Sequence, residues 1–212
     1  MSGMPRLWII AGPNGAGKTT LARKLPFSAA MGLLEWLNPD EITRELLRNQ
    51  GLSFKTAPPE LLQSTFIKAA DEVLVRAQQS LERGNGICVE TVLSTDKYRS
   101  LVEITLRHQG FVGLVYVAVK SPLVSAQRIA ARFLAGGHDV PTDRLAARWQ
   151  RSLEQLPWFV ERAHFVRVYD NSDSVHRELR PKLIAKKRNG AMQIFQSDLI
   201  PELTAALQRS PS

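Results

Sequence analysis

With 212 residues, 44% of them apolar and 23% charged, the chain has the size and balance of one soluble globular domain with a real core. No apolar run approaches a membrane span, Met1–Arg6 lacks the apolar stretch of a signal peptide, and the lone cysteine, Cys88, excludes an intrachain disulfide, all compatible with a cytoplasmic protein. The net charge of +8 fits either a nucleic-acid partner or a protein that surrounds a polyphosphate with arginines.

The first element is a strand, Leu7–Ala11. It runs into Gly12-Pro13-Asn14-Gly15-Ala16-Gly17-Lys18-Thr19, the full G-x-x-x-x-G-K-T pattern, and then into a helix from Thr20 to Leu25. Strand, glycine loop and helix in that order form a phosphate-binding loop. Backbone N–H groups converge on phosphate oxygens, Lys18 reaches the β- and γ-phosphates, and the Thr19 hydroxyl is placed for Mg²⁺. A short strand near Leu34–Leu37 precedes a helix over Asp40–Asn49, capped by Asn38 or Asp40 and closed by Gly51. Pro58–Arg83 reads as a long amphipathic helix ended by Gly84. A strand at Gly86–Glu90, a helix at Thr95–Gln109, a strand at Phe111–Val119 and helices at Pro122–Leu134 and Thr142–Leu153 follow, then a fifth strand at His164–Tyr169. Beyond Lys182 the pattern weakens to a basic turn at Lys186–Gly190, a short edge strand at Ala191–Phe195 and a helix at Asp198–Leu207. The expectation is a three-layer α/β phosphate-loop NTPase fold with a mainly parallel five-stranded sheet. Residues 1–181 form the main domain and residues 182–212 an appendage on it.

Ligands of an open parallel sheet lie beyond the carboxyl ends of its strands, so the polar residues there are the site candidates. Asp40 follows the second strand, as a base or orienting group for an acceptor hydroxyl or as a plain helix cap. Glu90 and Thr91 end the third, as ligands of Mg²⁺ through water or of acceptor hydroxyls, or as turn residues. Asp170-Asn171-Ser172 ends the fifth, beside a base or in an Asx turn. Arg128 with Arg132, and Arg144 with Arg148, share helix faces at i,i+4 spacing on two helices joined through Gly136-Gly137. That reads as an arginine lid over a triphosphate, against the alternative of solvated faces. His138 has no second ligand at metal spacing. The late basic cluster of Arg177, Arg180, Lys182, Lys186, Lys187 and Arg188 lacks interleaved aromatics in sequence, which favours solvated surface over a nucleic-acid site.

The ordered set Gly12–Thr20, Asn38-Pro-Asp-Glu-Ile42, Glu90-Thr-Val-Leu-Ser94, Arg132 with Gly136-Gly-His-Asp-Val-Pro141, Arg148-Trp-Gln-Arg-Ser152 and Asp170-Asn-Ser172 resembles the zeta-toxin family of kinases, in its compact bacterial branch. The resemblance spans residues 6–173. It implies ATP and Mg²⁺ as cofactors and phosphorylation of UDP-N-acetylglucosamine at a sugar hydroxyl, with a protein antitoxin as partner. It also implies Asp40 as base, Glu90 and Thr91 on the sugar nucleotide, and Arg132 and Arg148 on the transferring phosphoryl. Gly12 to Thr20, Arg128 and Asn171 fall on the nucleotide. Two other readings stand beside it: a kinase for a nucleoside, another sugar or an RNA end, and a regulatory NTPase with no small-molecule acceptor.

Overall fold

The computed structural model describes residues 3–25, 31, 33–134, 142–173, 180–188 and 190–209. Among the described residues, seven strands form one sheet in the order β2-β3-β1-β4-β5-β6-β7. They are β1 (Arg6–Ala11), β2 (Glu35–Leu37), β3 (Gly86–Thr91), β4 (Phe111–Ala118), β5 (Phe165–Asp170), β6 (Lys182–Arg188) and β7 (Ala191–Ile194). The first five are parallel, and β6 and β7 join antiparallel. The fold class is the expected one, with seven strands rather than five. Of the added pair, β6 takes in Lys186–Arg188 from the stretch read as a basic turn, while β7 lies within the short edge strand expected at Ala191–Phe195.

Strand β1, the middle of the five parallel strands, is apolar from Leu7 onward because both its faces are covered. Leu7, Ile9 and Ala11 enter one core cluster, Trp8 and Ile10 the other. The first cluster packs under α3 (Pro59–Glu82), α4 (Arg99–Arg107), α6 (Thr142–Arg162) and α7 (Pro201–Gln208), the second under α1 (Lys18–Ala22). Helix α3 offers the sheet a narrow stripe of Thr65, Ala69, Val73, Ala77 and Leu81, all at i,i+4 spacing. Helix α6 was expected to close at Leu153, yet it continues through Pro157. Leu156, Trp158, Phe159 and Val160 are buried in the larger cluster, and that burial outweighs the proline's lost helix bond. Strand β5 differs from β1: Val166, Val168 and Asp170 are buried while Phe165, Arg167 and Tyr169 are only partly covered.

No helix among the described residues is long and apolar enough to cross a membrane.

Candidate active site

The loop after β1 is tight against its neighbours. A Cβ on Gly12, at φ +136°, would stand 2.0 Å from the Val117 carbonyl oxygen of β4. One on Gly17, at φ +84°, would stand 2.7 Å from the Asn171 side-chain nitrogen. Both positions demand glycine for conformation and for space.

Two groups, Asn171 and Arg128, clamp the loop from outside. The Asn171 amide, buried, donates to the Ala16 carbonyl at 2.7 Å. The Arg128 guanidinium, from α5 (Pro122–Leu134), donates to the carbonyls of Asn171 at 2.7 Å, Ser172 at 2.9 Å and Gly15 at 3.4 Å. Asp170 accepts the Ser172 N–H at 2.9 Å, an Asx turn, and also bonds the Ser172 hydroxyl. The end of β5 therefore closes its own turn and, through Asn171, braces the phosphate loop.

Inside the loop, the Lys18 ammonium donates to the carbonyls of Gly12 at 3.0 Å and Pro13 at 3.1 Å. Burial lowers its pKa, opposed by the negative charges of Glu90 and Asp40, with Arg132 adding to the lowering. The Thr19 hydroxyl donates to the Glu90 carboxylate, 2.7 Å from Oε2 and 3.0 Å from Oε1. Glu90 is buried, and desolvation pushes its pKa up; Lys18 and Thr19 pull it back, while Asp40 and Glu41 push it further. The Asn14 side-chain oxygen is buried in the loop with no hydrogen-bond partner among the described residues.

Asp40 lies in the first turn of α2 (Pro39–Arg48). The cap is Asn38, whose side-chain oxygen accepts the Asp40 N–H at 2.9 Å, so the Asp40 carboxylate is not the cap. Its charge reaches Lys18, Glu90 and Arg148. Glu41 is exposed and faces Arg23 at 3.5 Å.

Arg148 on α6 is half-buried; desolvation lowers its pKa, as do Arg144 and Arg151, against the pull of Asp40. Its helix is fixed at both neighbouring residues that matter. The Trp149 indole donates to the Val119 carbonyl at 3.0 Å. The Ser152 hydroxyl donates to the Val92 carbonyl at 2.7 Å and bonds the Tyr116 hydroxyl at 2.8 Å. Arg132 is exposed, at the end of α5. The segment 135–141 with the glycine pair and His138, and the side chain of Asp143, lie outside the described residues.

The structure thus gathers Lys18, Thr19, Asp40, Glu90, Arg132 and Arg148 at one end of the sheet. Arg128 and Asn171 instead hold loop carbonyls. Thr91 shapes a turn: its hydroxyl accepts the Leu93 N–H at 3.0 Å, where Leu93 has φ +60°. Thr20 is exposed. Sequence reasoning assigned no role to Trp149, Ser152 or Tyr116. Their partners are backbone carbonyls or residues 36 and 60 positions away, which leave no local trace.

A parallel sheet whose central strand delivers this loop, with Lys18 and Thr19 against a carboxylate on the next strand, defines a phosphate-loop kinase-like nucleotide-binding fold. Residues 7–156 match the AAA domain family, and the chain belongs to that family. No curated protein matches the sequence. In structure, the chain is similar to one solved as the AvrRxo1-ORF1:-ORF2 complex with ATP, with a TM-score of 0.71, 17% identity, and coverage of 99% of this chain and 66% of that one. It therefore spans just under two thirds of that protein. It is also similar to a chain of the PezAT toxin–antitoxin system of Streptococcus pneumoniae (TM-score 0.55, 15% identity, 96% and 79% covered). A further similarity is to a putative kinase from Chloroflexus aurantiacus (0.50, 23%, 64% and 71%). At these identities the likeness is one of fold.

Proposed function

We propose that this protein is an ATP-dependent kinase of the zeta-toxin type that transfers the γ-phosphoryl to a sugar hydroxyl, with UDP-N-acetylglucosamine as acceptor. The observation that carries the reading is the division of labour at α2. Asn38 caps the helix, which leaves the Asp40 carboxylate facing the charges of Lys18, Glu90 and Arg148. A carboxylate so placed beside a phosphate loop suits proton transfer from an acceptor hydroxyl rather than activation of nothing but water.

The residues fit the two groups that the chemistry requires. The glycine loop, with Gly12, Gly15 and Gly17 at positive φ and Lys18 inside it, is a cradle for the nucleotide's phosphates. The Thr19 hydroxyl and the Glu90 carboxylate are hard oxygen donors suited to Mg²⁺, held directly or through water. A Mg²⁺ held by these residues would supply charge neutralisation for the nucleotide's phosphates. Lys18 binds the same phosphates, Arg132 and Arg148 stabilise the charge that spreads over the transferring phosphoryl, and Asp40 takes the acceptor's proton. Glu90 and Thr91 border the acceptor side, and Arg128 and Asn171 keep the nucleotide-facing loop in shape. A protein antitoxin as partner belongs to the same reading; both the AvrRxo1 and the PezAT structures are of systems with a second protein.

The test is incubation with ATP, Mg²⁺ and UDP-N-acetylglucosamine, followed by ³¹P NMR. A new phosphomonoester signal is expected, lost in Asp40→Asn while ATP still binds. Phosphorylation of a nucleoside, another sugar or an RNA end in its place would reassign the acceptor. Hydrolysis with no phosphorylated acceptor, or full activity in Asp40→Asn, would sink the reading.

A further inference from the structure

The late basic cluster looks different once folded. Its members in β6 divide between two faces of the sheet. Lys187 turns inward and donates to the carbonyls of Val160 at 2.8 Å and Glu161 at 2.6 Å, closing the end of α6. Lys186 and Arg188 stand on the other face. There Lys186 is in register with Arg167, and Arg188 with Phe165. Gln193 pairs with Lys186 from the β7 side, and Phe195, two residues on, comes under the Lys186 ammonium, which lies 5.0 Å from its ring centroid. The Arg167 guanidinium sits 4.4 Å from the Phe165 centroid. Phe165 and Tyr169 pack inward on the second core cluster, Phe165 with its centroid 5.4 Å from that of Trp8, so Phe195 is the exposed ring of the row.

This face of β5-β6-β7 therefore alternates rings with cations, and half the surface of Phe195 is exposed. Two cations directly opposite one another cost stability in a sheet unless an anion lies between or over them. The three strands contain one carboxylate, Asp170, which is buried and bonded within its own turn. No described helix shields Phe195, Gln193 or Arg188, all of which are exposed. The other face of the same strands is core, with Val166, Val168, Ala185, Met192 and Ile194 packed beneath α6 and α7.

We infer that the outer face of β5-β6-β7 binds single-stranded nucleic acid, with a base stacked on Phe195 and phosphates held by Arg167, Lys186 and Arg188. A flat exposed ring flanked by cations supplies both halves of that recognition, a π-face for a base and charge for the backbone. An acidic protein segment would use the cations but has no need of the exposed ring. The net charge of +8 adds long-range attraction for a polyanion. The aromatics were invisible in the basic cluster because they come from β5 and from beyond β7. The inference is independent of the kinase reading, since this surface lies at the opposite edge of the sheet from Glu90 and β2.

The test is fluorescence anisotropy of a labelled 12-nucleotide oligouridylate with the full chain, over a range of KCl. Saturable binding is expected, with a log–log salt slope of about −2 for three phosphate contacts. Phe195→Ala should weaken binding about tenfold with an unchanged slope, because a stacking contact is lost and no charge is. Arg167→Ala with Lys186→Ala should weaken it further and flatten the slope. Nucleotide binding by Phe195→Ala serves as the control for folding, and that exposed side chain makes a folding failure unexpected. Absence of binding at low salt overturns the inference. So does equal affinity for a 12-base-pair duplex, tighter binding of polyglutamate than of oligouridylate, or wild-type affinity in Phe195→Ala.

Discussion

Asn171→Ala tests how the phosphate loop is held. The amide donates to the Ala16 carbonyl at 2.7 Å from a side chain that is 1% exposed. Truncation leaves that carbonyl unpaired against a void, where water is the one replacement. A buried acceptor without its donor costs about 2 kcal/mol. For a chain of this size that corresponds to a fall in Tm of roughly 4–8 °C. The loop must also be re-ordered by its ligand, so nucleotide affinity should drop about tenfold, or about 1.4 kcal/mol. The assays are differential scanning fluorimetry and calorimetric titration with a non-hydrolysable ATP analogue and with inorganic triphosphate. A loop brace predicts equal losses for both ligands, because triphosphate has no base. Asn171→Asp should be worse than alanine, since a carboxylate would face the Ala16 oxygen with no proton to donate. Loss for the ATP analogue with triphosphate unaffected would assign Asn171 to the base instead. Wild-type Tm and affinity would refute the brace altogether.

Other outcomes follow from the same geometry. Gly12→Ala places a methyl 2.0 Å from the Val117 oxygen at a φ that L-residues avoid, so triphosphate binding should be abolished, checked by the same titration. Ser152→Ala strips the Tyr116 hydroxyl and the Val92 carbonyl of a partner inside the core and should cost about 2 kcal/mol in urea unfolding. Glu90 has its pKa raised by burial, so without Mg²⁺ a step in triphosphate affinity is expected at a pH above the ordinary carboxylate range, and Glu90→Gln should erase it in a calorimetric pH series. For folding the sign is opposite to a salt-bridged acid. The stability from the raised Glu90 pKa is fully present below the unfolded value and is lost as pH rises through the folded one, so Glu90→Gln should flatten that loss in a pH series of melts.

The parts of the fold that were legible in sequence are those where local pattern and tertiary role agree. Strand β1 is apolar because it is central, the loop has its glycines because Gly12 and Gly17 need positive φ, and α3 stops beside Gly84 at φ +77°. Strand β6 was missed because Lys186, Lys187 and Arg188 carry no apolar alternation; two face outward and Lys187 spends its charge on helix carbonyls. The far half of α6 was missed because Pro157 argues locally against a helix that Leu156, Phe159 and Val160 secure by burial. At the candidate site, the strand-end rule pointed to Asp40 and Glu90, whose charges the structure sets within reach of Lys18. It left cap against carboxylate open at Asp40, and the Asn38 contact to the Asp40 N–H answers that. Whether Asn171 faces a base or the loop depended on a partner 155 residues away.

Strands β1 and β3 run parallel in unshifted register, with Ile10 beside Glu90 and Ala11 beside Thr91. The carboxylate and the phosphate loop therefore leave the sheet at the same rung, and the meeting of Thr19 with Glu90 is a property of the ladder. Loops other than Gly12–Gly17 can lengthen or shorten without disturbing that encounter. A single residue added or removed within β3 cannot, because it rotates Glu90 to the opposite face and carries it away from Thr19. The site is thus tolerant of indels around it and intolerant of one at its centre.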